Sequence, residues 1–256
     1  MSEVQFNYAG KNFVVCGASS GIGKQIALEL AQAGANVLCL ARRVEIMEEM
    51  KSSQGSGKII PAFVDVISAK PSDWDAVIKN FVGEYGKISG GVYTAGIGGN
   101  TAFRNWNEDF AQRIMDTSYW GMLRFAQSAS KKKFSFDGAS FVVFSSIAAH
   151  LGECGQFIYA GVKSAVIASV KVIAKEIAKN FQRINSISPG WVNTEINKSL
   201  SSLEFGVMER RKAKFWLGEA EADRVSGMVL FLLSDRADWI TGTDIIVDGG
   251  QILGAE

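Results

Sequence analysis

The sequence predicts an α/β fold: a doubly wound parallel sheet of about seven strands with helices on both faces. Short β-rich runs alternate with longer segments of helical period, the order expected of repeated βαβ units. The strand candidates are mostly apolar and β-branched, which suits strands covered on both faces. A glycine-rich turn leaves the first strand and opens the first helix.

Taken in order, strands are expected at Asn12 to Cys16, Asn36 to Ala41, Ile59 to Val64, Ser89 to Thr94, Ser140 to Ser145, Arg183 to Ser188 and Asp244 to Val247. Helices are expected at Ile22 to Ala33, Val44 to Lys51, Ser72 to Tyr85, Glu108 to Lys131, Ile158 to Asn180 and Glu219 to Ser234. Right-handed crossovers would place these helices on alternate faces of the sheet. No repeat, low-complexity tract or linker divides the 256 residues, and a chain of this length can bury one core, so a single domain over 1–256 is expected. The segment from Asn193 to Leu217 alternates only weakly, where such a sheet presents its ligand side, and is expected to form a substrate lid at 193–217.

Composition narrows the function. Hydrophobic residues are 47% and charged residues 21%, ordinary for a globular protein and unlike a disordered or membrane-spanning one. Lys and Arg number 27 against 26 Asp and Glu, so no overall field would draw the chain to nucleic acid or an anionic membrane. The N-terminus has neither a basic region followed by an apolar run nor a spanning segment, and a cytoplasmic protein is expected. Cys16, Cys39 and Cys154 have no metal-ligand spacing, and His150 is the sole histidine, so neither a metal site nor a disulfide framework is expected. As a lone loop or surface histidine, His150 is assigned no role.

The turn Gly17-Ala18-Ser19-Ser20-Gly21-Ile22-Gly23 lets backbone N–H groups approach a pyrophosphate at a helix N-terminus. Gly21 and Gly23 would permit close approach and tight helix-to-strand packing. The spacing alone also fits a purely structural turn. The second strand ends in Ala41-Arg42-Arg43, where an adenosine ribose would lie. A carboxylate there would accept ribose hydroxyls and repel a 2′-phosphate; Ala41 offers none and Arg42 can neutralise the phosphate, so NADP(H) is favoured over NAD(H). The alternative is that both arginines begin an exposed helix and touch only water.

Tyr159 and Lys163 stand four residues apart at the start of a helix, on one face. An ammonium near a phenol is expected to lower the tyrosine pKa towards working pH, letting it give a proton to a carbonyl oxygen or take one from an alcohol. Ser146, just past the strand that ends in SFVVF, could hydrogen-bond the same substrate oxygen. Each feature alone is weak, since helices contain many Tyr-x-x-x-Lys pairs and loop serines often only cap turns.

Together these residues resemble the short-chain dehydrogenase/reductase family of the Tyr-x-x-x-Lys type, over nearly the whole chain. The glycine turn is similar to that family's cofactor turn, Asp65-Val66 to its adenine-contacting pair, and Thr94-Ala95-Gly96 to the latter part of its Asn-Asn-Ala-Gly motif. Ser146, Tyr159 and Lys163 match the catalytic serine, tyrosine and lysine in order and spacing. Pro189-Gly190-Trp191-Val192-Asn193-Thr194 resembles the segment that clasps the nicotinamide carboxamide through the Val192 backbone and the Thr194 hydroxyl. Ile240-Thr241-Gly242 and Val247-Asp248-Gly249-Gly250 resemble its closing strand. The resemblance implies a Rossmann-like fold, direct hydride transfer, contact of Lys163 with the nicotinamide ribose, and a homodimer or homotetramer built through the long helices holding Tyr119 and Tyr159.

Two positions depart from the family pattern. Ser118 stands where most members carry an asparagine holding a water that links the lysine to solvent, and it is expected to retune proton delivery. Tyr93 replaces the first asparagine of Asn-Asn-Ala-Gly, which puts the hydrogen bonds between neighbouring strands in question. The leading expectation is an NADP(H)-dependent oxidoreductase acting on a small-molecule carbonyl or alcohol, an acyl-thioester among the open classes. The alternative is a catalytically weak protein of the same fold that binds or senses NADP(H). Reduction of a carbon–carbon double bond is disfavoured, because such members separate tyrosine and lysine more widely. Trp191, Phe157, Ile97, Leu200, Leu203, Phe205, Met208, Phe215 and Trp216 could line an apolar pocket or pack a lid onto the body. Glu209-Arg210-Arg211-Lys212 reads as a solvated helix face.

Overall fold

A computed structural model describes residues 4–195 and 215–254. Most of the expected lid therefore lies outside the described residues, as do Leu200, Leu203, Phe205, Met208 and Glu209 to Lys212. In chain order the elements are β1 (Asn12–Cys16), α1 (Gly21–Gln32), β2 (Asn36–Ala41), α2 (Val44–Glu49), β3 (Lys58–Phe63), α3 (Pro71–Tyr85) and β4 (Ile88–Tyr93). They continue with α4 (Glu108–Met115), α5 (Gly121–Ala129), β5 (Ser135–Phe144), α6 (Phe157–Ile177), β6 (Arg183–Pro189), α7 (Asp223–Leu233) and β7 (Asp244–Val247).

All seven strands run parallel in one sheet, in the order β3-β2-β1-β4-β5-β6-β7. The central strands bury both faces, as their apolar runs require; every residue of β1 and β6 is buried. Pro61 is tolerated in β3 because that strand is an edge, with one side free of ladder partners. On one face Ile26 and Leu30 of α1, Met47 of α2 and Val225, Val229 and Leu233 of α7 pack into one apolar layer. On the other, Trp74, Ile78 and Phe81 of α3, Met122, Phe125 and Ala129 of α5, and Val166, Val170 and Ala174 of α6 form a second. Helices on both faces of one parallel sheet are the doubly wound arrangement the alternation predicts.

Several boundaries differ from expectation, three of them for a visible structural reason. The helix expected over Glu108 to Lys131 ends at Ala129 and is interrupted by a π-helical turn at Asp116–Trp120, which apolar spacing does not encode. β5 begins at Ser135, well before Ser140, because Ile88 pairs with Ser135 and the register then shifts before Gly90 meets Ser140. α7 starts at Asp223, since Ala220 is used in a bridge to Val192.

Candidate active site

The strand order reverses between β1 and β4, and the C-terminal ends of all strands share one edge. A crevice opens there, the usual ligand position in such sheets. The glycine turn forms its floor. Gly17 has φ +88°, and a Cβ on it would stand 2.4 Å from Thr94 Oγ1. A Cβ on Gly23 would stand 2.3 Å from the Gly17 carbonyl oxygen, so only glycine lets α1 start this close to β1. Ser20 precedes α1 without capping it, and the first turn carries no acidic residue. The N-terminus of this twelve-residue helix thus opens on the crevice with no acidic side chain in its own first turn.

At one end Ala41, Arg42, Arg43, Asp65, Val66 and Ile67 line the crevice with Ser19 and Ser20. Arg42 is exposed. Arg43 is half-buried, bonded to Glu195 at 3.2 Å and to Ser19 Oγ at 3.3 Å, so its charge is partly claimed across the mouth of the crevice. Asp65 turns inward on its own loop, accepting from the Ile67 N–H at 3.1 Å. The pair Asp65-Val66 and both arginines are therefore gathered in one place. A glycine cradle that a Cβ would fill, a helix N-terminus without a side-chain cap and an exposed guanidinium together fit a phosphorylated dinucleotide.

The crevice continues without a break into a second cavity, the two sharing Ile22, Thr94, Gly96, Ile97, Phe144 and Thr194. Ser146, Tyr159 and Lys163 converge on it. Ser145 and Ser146 follow the end of β5, and α6 begins with Phe157 so that Tyr159 and Lys163 lie on its first turns, facing the strand end. Tyr159 shares a side-chain hydrogen bond with Ser146, and Ser146 Oγ also accepts from the Ala148 N–H at 3.2 Å. Lys163 is 4% exposed; its Nζ donates to the Phe144 carbonyl at 2.9 Å and lies 5.5 Å from the centre of the Tyr159 ring. Ser145 Oγ donates to the Lys163 carbonyl at 2.9 Å, fixing α6 to the strand end.

The electrostatics correct one expectation. Burial pushes the Tyr159 phenol up from its ordinary value, with the Ser146 hydrogen bond working the other way. Burial also brings Lys163 down to about 8. A desolvated ammonium that bonds a backbone carbonyl does not outweigh the loss of water around the phenol. In this structure both groups are thus held closer to their neutral forms than the four-residue spacing implied.

Ser118 lies in the π turn and is 2% exposed; its Oγ makes no hydrogen bond among the described residues. It borders the same spot as Lys163 Nζ: a Cβ on Gly96 would stand 3.4 Å from Ser118 Oγ and 3.6 Å from Lys163 Nζ. The far wall is Pro189, Gly190, Trp191, Val192 and Thr194, with Val192 held by its bridge to Ala220. Phe215 stacks on Trp191 at 6.4 Å.

Spacing did not reveal Gln251 in this wall. Gln251 is 8% exposed and its Oε1 accepts from the Trp191 N–H at 2.7 Å, occupying the space that a side chain on Gly190 would fill. It lies sixty-odd positions away in sequence, where no local pattern connects the two. Thr94 Oγ1 donates to the Cys16 carbonyl at 2.9 Å and so ties β4 to β1, which answers the question raised by Tyr93. His150, assigned no role, is a structural anchor: its Nε2 lies 2.8 Å from Asp244 Oδ2, which also accepts from Ser188 Oγ at 2.8 Å.

Residues 17–251 match the family model described as enoyl-(acyl carrier protein) reductase. A 3-oxoacyl-[acyl-carrier-protein] reductase from Staphylococcus epidermidis is 29% identical over 249 residues, covering 95% of this chain and 99% of that protein. One from Thermotoga maritima is also 29% identical, over 95% of this chain and 98% of its own length. A short-chain type dehydrogenase/reductase from Mycobacterium marinum superposes with a TM-score of 0.87 at 30% identity, over 96% of this chain and 97% of that one. Its counterpart from Mycobacterium ulcerans gives 0.89 at 26% identity, over 98% and 92%.

Proposed function

The chain is an oxidoreductase of the short-chain dehydrogenase/reductase family, and on that footing we propose that it interconverts a carbonyl and an alcohol using NADP(H). The observation that carries this reading is the convergence of Ser146, Tyr159 and Lys163 on a cavity continuous with the glycine-floored crevice. The residues from Gly17 to Gly23, Arg42, Arg43, Asp65, Val66, Ala95, Gly96 and the segment from Pro189 to Thr194 would hold the cofactor, which when bound would supply or accept the hydride.

The protein's own part is the proton. Ser146 and Tyr159 hydrogen-bond the substrate oxygen, and Tyr159 gives it a proton as negative charge grows there. A phenol kept neutral by burial is the correct starting form for that donation. The phenolate that results is stabilised by the Lys163 ammonium and regains its proton through Lys163 and Ser118. The reverse direction runs the same transfers backwards.

The Staphylococcus epidermidis and Thermotoga maritima relatives are named as 3-oxoacyl-[acyl-carrier-protein] reductases, and Ile97, Ile147, Leu151 and Trp191 give this cavity an apolar wall suited to an acyl chain. The family description speaks of enoyl reduction, yet a lysine one turn after the tyrosine supports the carbonyl reaction. Along α6, Phe157, Gly161, Ser164, Ala168 and Val172 form an exposed stripe of mostly small or apolar residues, which supports pairing with a second copy of the chain. The same helix, extended to Asn180, is long and apolar enough to cross a membrane, but its opposite face packs on the sheet.

The test is consumption of reduced nicotinamide, followed by absorbance, with a 3-oxoacyl thioester, simple ketones and an enoyl thioester, each with NADPH and with NADH. Carbonyl-dependent consumption that favours NADPH is expected. NADPH binding without consumption across the carbonyl panel would leave a binding or sensing protein instead. Light scattering on a sizing column would report the expected dimer or tetramer; a monomer would remove the role given to the α6 stripe.

A further inference from the structure

Tyr93 ends β4 and is 2% exposed, with Phe125 tilted against its ring at 5.6 Å. Its hydroxyl crosses from the sheet to the helix layer and donates to the carbonyl of Thr117 at 2.5 Å. Burial raises this phenol well above its ordinary value, so it stays protonated and remains a donor. Thr117 belongs to the π turn Asp116–Trp120 and immediately precedes Ser118. Gly121, which follows the turn, leaves the space the hydroxyl occupies: a Cβ there would stand 2.2 Å from Tyr93 Oη. The phenol and the missing side chain are a matched pair.

A π turn is rare and survives where tertiary contacts favour it over regular winding. Loss of its extra residue would rotate one flank of the helix against the other by roughly 100°, one residue's worth of turn. Ser118 Oγ would then leave its place beside Lys163 Nζ over Gly96. A buried hydroxyl without a protein partner carries a desolvation cost, and such groups in native structures call for an explanation that is often functional.

We propose that Tyr93 is a positioning residue for proton transfer: by holding the Thr117 carbonyl it fixes the π turn, and the turn places Ser118 beside Lys163. The two departures from the family pattern, Tyr93 and Ser118, are then one device. This rests on the part given to Ser118 and Lys163 in the proposed reaction.

Tyr93→Phe keeps the ring and its packing while deleting the hydroxyl. Carbonyl reduction with NADPH is expected to lose about tenfold in kcat, with a displaced alkaline limb in its pH profile. The KM for substrate and the Kd for NADPH should stay as they are. Gly121→Ala, which crowds the same hydroxyl, should reproduce the effect. In the Ser118→Ala background, Tyr93→Phe should add nothing further, because both changes act through one path. Amide hydrogen exchange across 116–121 should quicken in Tyr93→Phe. An unchanged kcat and pH profile, effects that multiply with Ser118→Ala, or unchanged exchange across the turn would each overturn the proposal. A wild-type protein that consumes no NADPH overturns the functional reading beneath it, and that result is seen before any variant is made.

Discussion

At the end of the glycine turn the crevice is made of backbone and surface charge: glycines with no side chain, helix N–H groups with no side-chain cap, and an exposed Arg42. At the chemical end it is made of polar side chains, Lys163 at 4% exposure and Ser118 at 2% withdrawn from water, and a half-buried Tyr159 whose neutral form partial burial favours. The first end can be assembled with little opposition, because glycine turns and surface arginines give up little of their hydration. The second opposes folding and persists only because the surrounding packing is extensive. Binding and chemistry are thus separable in this molecule, and variants should affect them separately.

The largest expected effect is at the chemical end. Tyr159→Phe should lower turnover on the order of 10³-fold, by removing the proton donor, and leave the Kd for NADPH unchanged in a fluorescence titration. Substantial residual turnover would remove Tyr159 from proton transfer; weakened cofactor binding would show that the two ends are not separable.

Gly23→Ala attacks the other end. Its Cβ would meet the Gly17 carbonyl oxygen at 2.3 Å, backbone against backbone, so α1 must shift. A loss of about 3 kcal/mol in denaturant unfolding, together with weakened NADPH binding, is expected. Unaltered stability would mean that the turn is looser than its geometry implies.

Arg42→Asp tests the charge. Replacing the exposed guanidinium with a carboxylate should shift cofactor preference from NADPH towards NADH by about 100-fold in kcat/KM, since a charge-assisted hydrogen bond to the 2′-phosphate gives way to repulsion. Arg43 is already bonded to Glu195, so the same change there should do less. Equal effects at the two positions would contradict the assignment of Arg42 to the 2′-phosphate.

The smallest effect is one on stability, and it is the most direct measure of the cost of the chemical end. Lys163 falls from 10.5 to about 8 through burial. Between those values the unfolded chain holds a proton that the folded chain has released, so stability contributed by this group rises with pH. Below about pH 8 the folded protein carries a charge that burial opposes. Lys163→Met should therefore abolish turnover yet stabilise the cofactor-free protein by about 1 kcal/mol at about pH 7, the Phe144 carbonyl left without its donor offsetting part of the gain. That stabilisation should fade towards about pH 10. Thermal melts at two pH values decide it, and a loss of stability at neutral pH would refute the cost ascribed to the buried charge.

Much of the fold and the catalytic set could be read from local pattern. The alternation of strand and helix sufficed for the sheet, because apolar runs of strand length need cover on both faces. Tyr159 and Lys163 were legible because helical geometry puts four-residue neighbours on one face, and the glycine turn because positive φ and close approach leave few other residues. Less legible were the boundaries of β5 and α7, which depend on a register shift and on the Val192–Ala220 bridge.

By itself the sequence determined the doubly wound class, the order of the candidate site residues and the pair of arginines that follows β2, since each follows from rules that act over a few neighbouring positions. Tertiary structure alone decided that Gln251 supports Trp191, that Thr94 ties β4 to β1, that Tyr93 reaches the π turn holding Ser118, and that burial governs the protonation of Tyr159 and Lys163. Those outcomes depend on which groups meet across the sheet and how much water is left between them, and neither quantity is a property of any one stretch of chain.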